Sequence, residues 1–462
     1  MTDSNDLHEF YLDVLGQQPL MKIYTQICFC YAVPENDLRE QILDTLNAGL
    51  LKLSTSFPWI AGQVISDEPI SGETFSFKIV PLEKTPRLVV RYFDDDNRVP
   101  NYQNLREANY PFRMLDESLI APRNTLPGLP GSSNEDIAPV LLLQANFITG
   151  GLILTFAAHH SAMDMTGQGQ IMTLLSKACH NEPFSPEDLA SGNLDRRHAI
   201  SFLENYTPGP EIQDQVPSPS PKTPAEIPKS ETTPNDPPKL TWAYFSFPAT
   251  SLSDIKKVAS STIASPAFIS TDDALTALIW QSVTRIRQPR LKTNETCRFA
   301  RAVDVRSALN ISPTYTGFLQ NMTFHSYPIQ RLTSDPLGDV ALNFRARLDP
   351  KELAFRTRAL ATFFKQADDK SIAIDFTAGM DLSKDIMLSS WVKPNCYELD
   401  FGLGLGTPES VRRPQFTTVE SLFYLMPKRL DGEVSAALCL REEDLWRLKK
   451  DEEFMKYCQY VG

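Results

Sequence analysis

Residues 208–238 constrain the fold of this chain more than any other stretch. Ten of the chain's 35 prolines lie there, among Ser, Thr, Glu and Lys and with few large apolar side chains. Proline lacks a backbone donor and fixes φ, so no helix interior or central strand runs through such a segment. The stretch predicts an exposed, extended crossover. It divides the 462 residues into two parts of roughly 200 residues, each the size of an ordinary domain. The expected organisation is an N-terminal domain over 1–207, a linker over 208–240 and a C-terminal domain over 241–462.

Both parts alternate strand and helix signals. Before the linker, 21–33, 63–65, 74–81 and 87–93 have strand character, and Leu38, Ile42, Leu43, Leu46, Leu50 and Leu53 recur at helical spacing. Residues 94–137 carry many turn formers and are expected to be irregular. Val140–Ile148 and Leu152–Ala158 flank Thr149-Gly150-Gly151, a hairpin signal. After the linker, strands are expected at 242–247, 299–305, 419–426 and 432–440. Helices are expected at 251–259, from the capping run Ser270-Thr271-Asp272-Asp273 to Ile286, at 337–348 and at 442–457. No regular repeat is present, so the pattern predicts mixed α/β layers.

The second hairpin strand runs into His159-His160-Ser161-Ala162-Met163-Asp164, where a helix through Cys179 follows; Gly167 and Gly169 predict an irregular start to it. Imidazole titrates near neutral pH and suits a general base. Asp164 follows His160 by one helical turn, placed to touch it or to hold the loop. A buried, merely hydrogen-bonded histidine is the bland alternative; the hairpin context favours function. His180, His198 and His325 are remote and carry no ligand spacing, so no metal site is expected. No Gly-x-Ser-x-Gly occurs, which leaves no nucleophile elbow. The pattern points to a base acting directly on bound substrate. Net charge −12 argues against nucleic acid and anionic membrane as partners. The acidic N-terminus lacks the marks of a signal peptide, and the most apolar stretch, 139–158, is interrupted by Gln144, Asn146 and Gly150-Gly151, so no membrane span is expected. Seven scattered cysteines fit reduced thiols in the cytoplasm.

Two further stretches stand out. Asp400-Phe401-Gly402-Leu403-Gly404-Leu405-Gly406 lacks dinucleotide spacing, and Thr407-Pro408-Glu409 stands where a helix should begin; a structural glycine loop is expected. Arg298, Arg301 and Arg306 lie on or just after one strand, with Tyr315–Asn321 behind it. Buried charges on a strand usually pair, and Asp164 is a candidate partner.

Together these stretches resemble the BAHD acyltransferases. His160-Ser161-Ala162-Met163-Asp164 matches their HxxxD motif, and Asp400-Phe401-Gly402-Leu403-Gly404 is similar to their DFGWG motif, with Leu403 in place of tryptophan. Ala302–Arg306 and Ser389-Ser390-Trp391 look like two further family blocks. The similarity runs end to end and is greatest to the fungal trichothecene 3-O-acetyltransferase-like branch, in 174–179, 270–275, 320–323 and 459–462. That branch shares the Leu403 departure.

The resemblance implies two chloramphenicol-acetyltransferase-like domains, each a mixed sheet with helices, and a channel between them. It implies acetyl-CoA as co-substrate, a small-molecule alcohol as acceptor, no metal and a monomer. His160 would be the general base. Asp164 would pair with Arg306 and support the base, and Asp400, Gly402 and Gly404 would hold a loop. Ser389, with Asn321 as a second candidate, would face the oxyanion. The expected activity is O-acetyl transfer to a secondary-metabolite hydroxyl, a trichothecene first. Other acceptors and a catalytically silent binding protein are the alternatives. A condensation-type module is disfavoured, because Met165 stands where that motif has glycine.

Overall fold

The longest apolar runs pair with one another. The computed structural model describes residues 10–34, 38–67, 76–94, 96–127, 137–216, 237–367 and 379–462; most of the expected crossover, 217–236, lies outside them. The described strands, in chain order, are β1 (Phe10–Tyr11), β2 (Tyr24–Ala32), β3 (Gly62–Asp67), β4 (Ser76–Pro81), β5 (Arg87–Tyr92), β6 (Leu141–Ile148), β7 (Gly151–His159), β8 (Leu240–Phe247), β9 (Thr296–Asp304), β10 (Gln320–Pro328), β11 (Ile386–Ser390), β12 (Ser410–Arg412), β13 (Leu422–Leu425), β14 (Val434–Arg441) and β15 (Gln459–Tyr460). They form two large mixed sheets and one small sheet, ordered β12-β2-β7-β6-β5, β10-β9-β11-β13-β14-β8-β15 and β1-β4-β3.

In the five-stranded sheet every residue of β6 and β7 is buried. Continuous burial replaces period-two alternation because both faces are covered. One face packs on helices Leu38–Ser56 and Met165–Cys179 through Ile42, Leu46, Leu50, Ile171 and Leu175. The other carries Cys28, Cys30, Ile148 and Ile153 against Tyr102, Leu105 and Ile120. The hairpin turns at Thr149-Gly150, with Gly150 at φ 77° and Ile148 opposite Gly151, as its sequence predicts.

The seven-stranded sheet buries one face under helix Thr271–Arg287, with Trp280 wholly buried 5.2 Å from Phe299 and 5.5 Å from Phe344. Ser270 and Asp273 make the capping box expected at that helix start. Its other face meets helix Pro350–Gln366 through Leu360 and Phe364, and Leu15 joins that core together with Ile212, so the described start of the crossover, expected to be exposed, is anchored by a buried side chain. In return, β12 from the later part of the chain pairs antiparallel with β2, Ser410 opposite Cys30 and Arg412 opposite Cys28.

Several expectations need correction. Residues 94–137 hold two short helices, Tyr102–Glu107 and Glu117–Ile120. The closing helix is two, Glu442–Leu448 and Glu452–Met455, because Asp451 caps the second by accepting from Phe454 N (2.9 Å) and also pairs with Arg285 (2.8 Å). The helix after His160 starts cleanly at Met165 with Asp164 as N-cap, accepting from Gly167 N at 2.8 Å. Gly167 serves close approach instead of irregularity: a Cβ there would lie 2.4 Å from the Thr316 carbonyl oxygen and 2.9 Å from that of Gly317.

That contact sets a sign. In an open helix, Gly→Ala would add about 1 kcal/mol of stability. Against two backbone carbonyls, overpacking outweighs it, and Gly167→Ala is expected to destabilise the protein by about 1–3 kcal/mol. Urea unfolding checks this; a variant as stable as the wild type would show that the approach is not tight.

Candidate active site

β7 ends at His159, and the chain then turns before the helix at Met165. The turn is pinned at both sides: His160 N donates to Ile23 O (2.8 Å) and Ala162 N to His159 O (3.0 Å). His160 and Met163 O bond through Nδ1 at 3.1 Å. A carbonyl only accepts, so Nδ1 carries the proton and, in the neutral ring, Nε2 presents a lone pair. The ring stands edge-on to Phe318 at 5.2 Å. Burial first of all holds the His160 pKa below the ordinary histidine value, and the Arg413 charge adds to this; the Met163 carbonyl and Asp164 act in the opposite sense.

His159 points elsewhere. It is 3% exposed, edge-on to Tyr24 at 5.3 Å, and its Nδ1 has no hydrogen-bond partner among the described residues. Burial, with the charges of its neighbours, pushes its pKa down to about 3, so it stays neutral.

Asp164 does not bond His160. Its carboxylate takes Arg306 Nη1 (2.8 Å) and Nη2 (3.0 Å), Gly167 N (2.8 Å) and Leu319 N (2.7 Å). Arg306 also donates to Asp304 Oδ1 (2.9 Å), Tyr315 O (3.0 Å) and Gly317 O (2.7 Å). Asp164 is 2% exposed and Arg306 1%. The structure thus brings these two expected residues together.

A cavity of about 490 Å³ opens beside the helix start, lined by Asp164, Met165, Thr166, Arg301, Ser389 and Lys393 among others. That volume suits a small-molecule ligand. Ser389 borders it and accepts from Trp391 Nε1 at 3.1 Å, which leaves its own hydroxyl proton to donate. Asn321 is not on the lining; its neighbour Gln320 is. Successive strand residues face opposite ways, and Asn321 points into the core. Its Nδ2 donates to Thr357 Oγ1 (2.9 Å), and its Oδ1 accepts from Gln215 Nε2 (3.0 Å). Asn321 therefore supports the sheet, a correction to its expected place at the oxyanion.

The glycine loop is remote from His160. Asp400 Oδ1 accepts from Gly402 N (2.8 Å), and its carbonyl accepts from Ser176 Oγ (2.6 Å) on the helix that Asp164 caps. Gly402 and Gly404 hold φ of 65° and 75°, where a side chain would be strained. Phe401 inserts 5.5 Å from both Phe29 and Phe156.

Two buried supports near the site carry no sequence signal. Asp13, fully buried, accepts from Tyr315 Oη (2.5 Å) and Phe318 N (2.7 Å); burial lifts its pKa to about 6 against the lowering pull of Arg196 and its donors. Arg196 donates to Ala162 O (2.5 Å) and lies 4.1 Å from the Trp59 ring. Neither sits in a motif: only the fold brings Arg196 to the turn and Asp13 to the Tyr315–Phe318 segment. Among the described residues, no three His, Cys, Asp or Glu side chains gather as metal ligands would, and no helix is long and apolar enough to cross a membrane.

Residues 23–179 match the trichothecene 3-O-acetyltransferase-like N-terminal domain, and residues 121–455 the Transferase family. An O-acetyltransferase of a Cryptosporiopsis species is 50% identical over 457 residues, 98% of each chain. The trichothecene 3-O-acetyltransferase of Fusarium sporotrichioides is 48% identical over 461 residues, 99% of this chain and 98% of that one. The crystal structure of the latter enzyme, complexed with coenzyme A and T-2, superposes with a TM-score of 0.90 at 47% identity, covering 98% of this chain and 100% of that one. On this evidence the chain belongs to the Transferase family, the BAHD acyltransferases, and carries that family's trichothecene 3-O-acetyltransferase-like N-terminal domain.

Proposed function

We propose that this protein is an O-acetyltransferase that moves acetyl from acetyl-CoA to a hydroxyl of a secondary-metabolite alcohol, a trichothecene first among them, with His160 as general base. One observation carries the reading: the Nδ1–H of His160 is committed to Met163 O, so the Nε2 lone pair is held ready. The complex of a full-length relative with coenzyme A and T-2 supports both substrates. Two relatives of nearly equal identity bear different names, O-acetyltransferase and trichothecene 3-O-acetyltransferase, so the acceptor is tested with a panel.

In this mechanism the alcohol oxygen attacks the thioester carbonyl as Nε2 of His160 takes its proton. The tetrahedral oxyanion accepts a hydrogen bond from Ser389 Oγ–H. The intermediate then expels coenzyme A, whose sulfur takes the proton back from Nε2. Holding both substrates together supplies much of the acceleration. The acetyl-CoA arm occupies the cavity beside Ser389. Asp164 and Arg306 hold the turn, and Asp400, Gly402 and Gly404 brace the helix from its far end.

Thiol release from acetyl-CoA, with trichothecene and other alcohols, tests the reaction. His160→Ala is expected to lose about 10²–10⁴-fold in turnover, the usual weight of a general base; turnover near wild type would refute the assignment. The proton acceptor is the neutral ring, and its pKa is held below 6.5. The acidic limb of the kcat/KM profile should therefore be centred below pH 6.5; an acidic limb centred above 6.5 would contradict this. Arg306→Met strands the buried Asp164 carboxylate and should cost about 3–5 kcal/mol in urea unfolding, with Asp164→Asn added to it restoring part of the loss.

A further inference from the structure

Arg413 is buried, 2% exposed, yet its donors are poorly filled. Buried Arg287, Arg301 and Arg306 each pair with a carboxylate. Arg412, next door, donates to the carbonyl oxygens of Tyr110, Val411 and Asn109 at 3.3–3.4 Å. Among the described residues Arg413 has one side-chain bond, Nη2 to Thr125 Oγ1 at 3.4 Å, and its Nε has none. Three rings cage it, with the guanidinium carbon 4.3 Å from Phe416, 4.6 Å from Tyr424 and 5.2 Å from Trp391. Aromatic faces offset part of the cost of burying the charge but leave in-plane N–H groups unfilled, which is costly. The buried carboxyl of Glu117 acts on Arg413 only through space, since its Oε2 takes Thr125 N (2.7 Å) and Gln26 Nε2 (3.2 Å).

The cage is built into the proposed site. Trp391 both stacks on Arg413 and bonds Ser389, and the Arg413 charge is felt at His160. The cavity is lined by Ser389, Ser390 and Val392 but not by Trp391 or Arg413. Arg413 thus stands across the end of β11 from that cavity, among side chains of the core shared with the five-stranded sheet. With the thioester in the cavity, the alcohol comes from this other side. We propose that Arg413 anchors the acceptor by donating to a second oxygen of the alcohol, a carbonyl or carboxylate carried beside the reacting hydroxyl. The inference rests on the O-acetyltransferase reading.

Steady-state kinetics of the wild type, Arg413→Met and Arg413→Lys test it, using alcohols matched in pairs with and without a carbonyl or carboxylate. Arg413→Met should raise KM for the oxygen-bearing acceptor about 10- to 100-fold, the weight of a hydrogen bond to a charged group. KM for acetyl-CoA should stay within about twofold, and acceptors lacking the oxygen should bind as before. Arg413→Lys, which keeps the charge and loses the planar fork, should fall between, and it decides the matter if Arg413→Met does not fold. An unchanged KM for oxygen-bearing acceptors, or an equal rise for acetyl-CoA, overturns the proposal while leaving the O-acetyltransferase reading in place. Absence of transfer to any alcohol by the wild type overturns both.

Discussion

The Asp164–Arg306 pair is the interaction on which the rest of the site depends. Burying two charges is costly, and mutual attraction compensates only when the remaining donors and lone pairs are also filled. Here they are filled. Arg306 has five N–H groups and makes five bonds: two to Asp164 and one each to Asp304, Tyr315 and Gly317. Asp164 also receives Gly167 N and Leu319 N. The pair therefore welds a helix start on one domain to the chain following β9 on the other. The turn that carries His160 lies between these fixed points.

That arrangement also shapes the base. In a triad the acid bonds the imidazole directly and favours its charged form. Here the carboxylate bonds a guanidinium and not the imidazole, and its charge acts on His160 only through space. A backbone carbonyl orients the ring instead. Burial then decides the protonation state, in favour of the neutral form. The result is a base whose tautomer is set by main chain, which a side-chain change nearby disturbs little.

Much of this was legible in the sequence where local rules decide. The β6–β7 hairpin, the helix over 38–56 and the Ser270 cap announce themselves through turn chemistry, periodicity and capping. The pairing of Asp164 with Arg306 was readable only because motif blocks far apart were compared together. What the sequence hid is what three-dimensional proximity supplies. Asp13 and Arg196 have no local signature, yet Arg196 reaches the turn and Asp13 holds the Tyr315–Phe318 segment behind it. Asn321 was misplaced by one residue of strand alternation: Gln320 borders the cavity and Asn321 does not. Gly167 looked like a helix breaker, whereas its missing side chain makes room for the Thr316 carbonyl. Strands β10 to β12 escaped notice because their apolar patterns are short, Met322 and Phe324 in β10 and Ile386–Leu388 in β11, and β12 is three residues long.

The exchange of β12 bears on how the protein is made. Residues 24–159 hold four of the five strands of the first sheet, but β2 gains its outer neighbour only from residues 410–412. A chain emerging from the ribosome carries that open edge through the synthesis of some 250 further residues. An unpaired edge of buried strand is a template for wrong partners, and large proteins misassemble by this route. Residues 410–460 therefore both complete one domain and clasp the other, so neither reaches its final form before they are made.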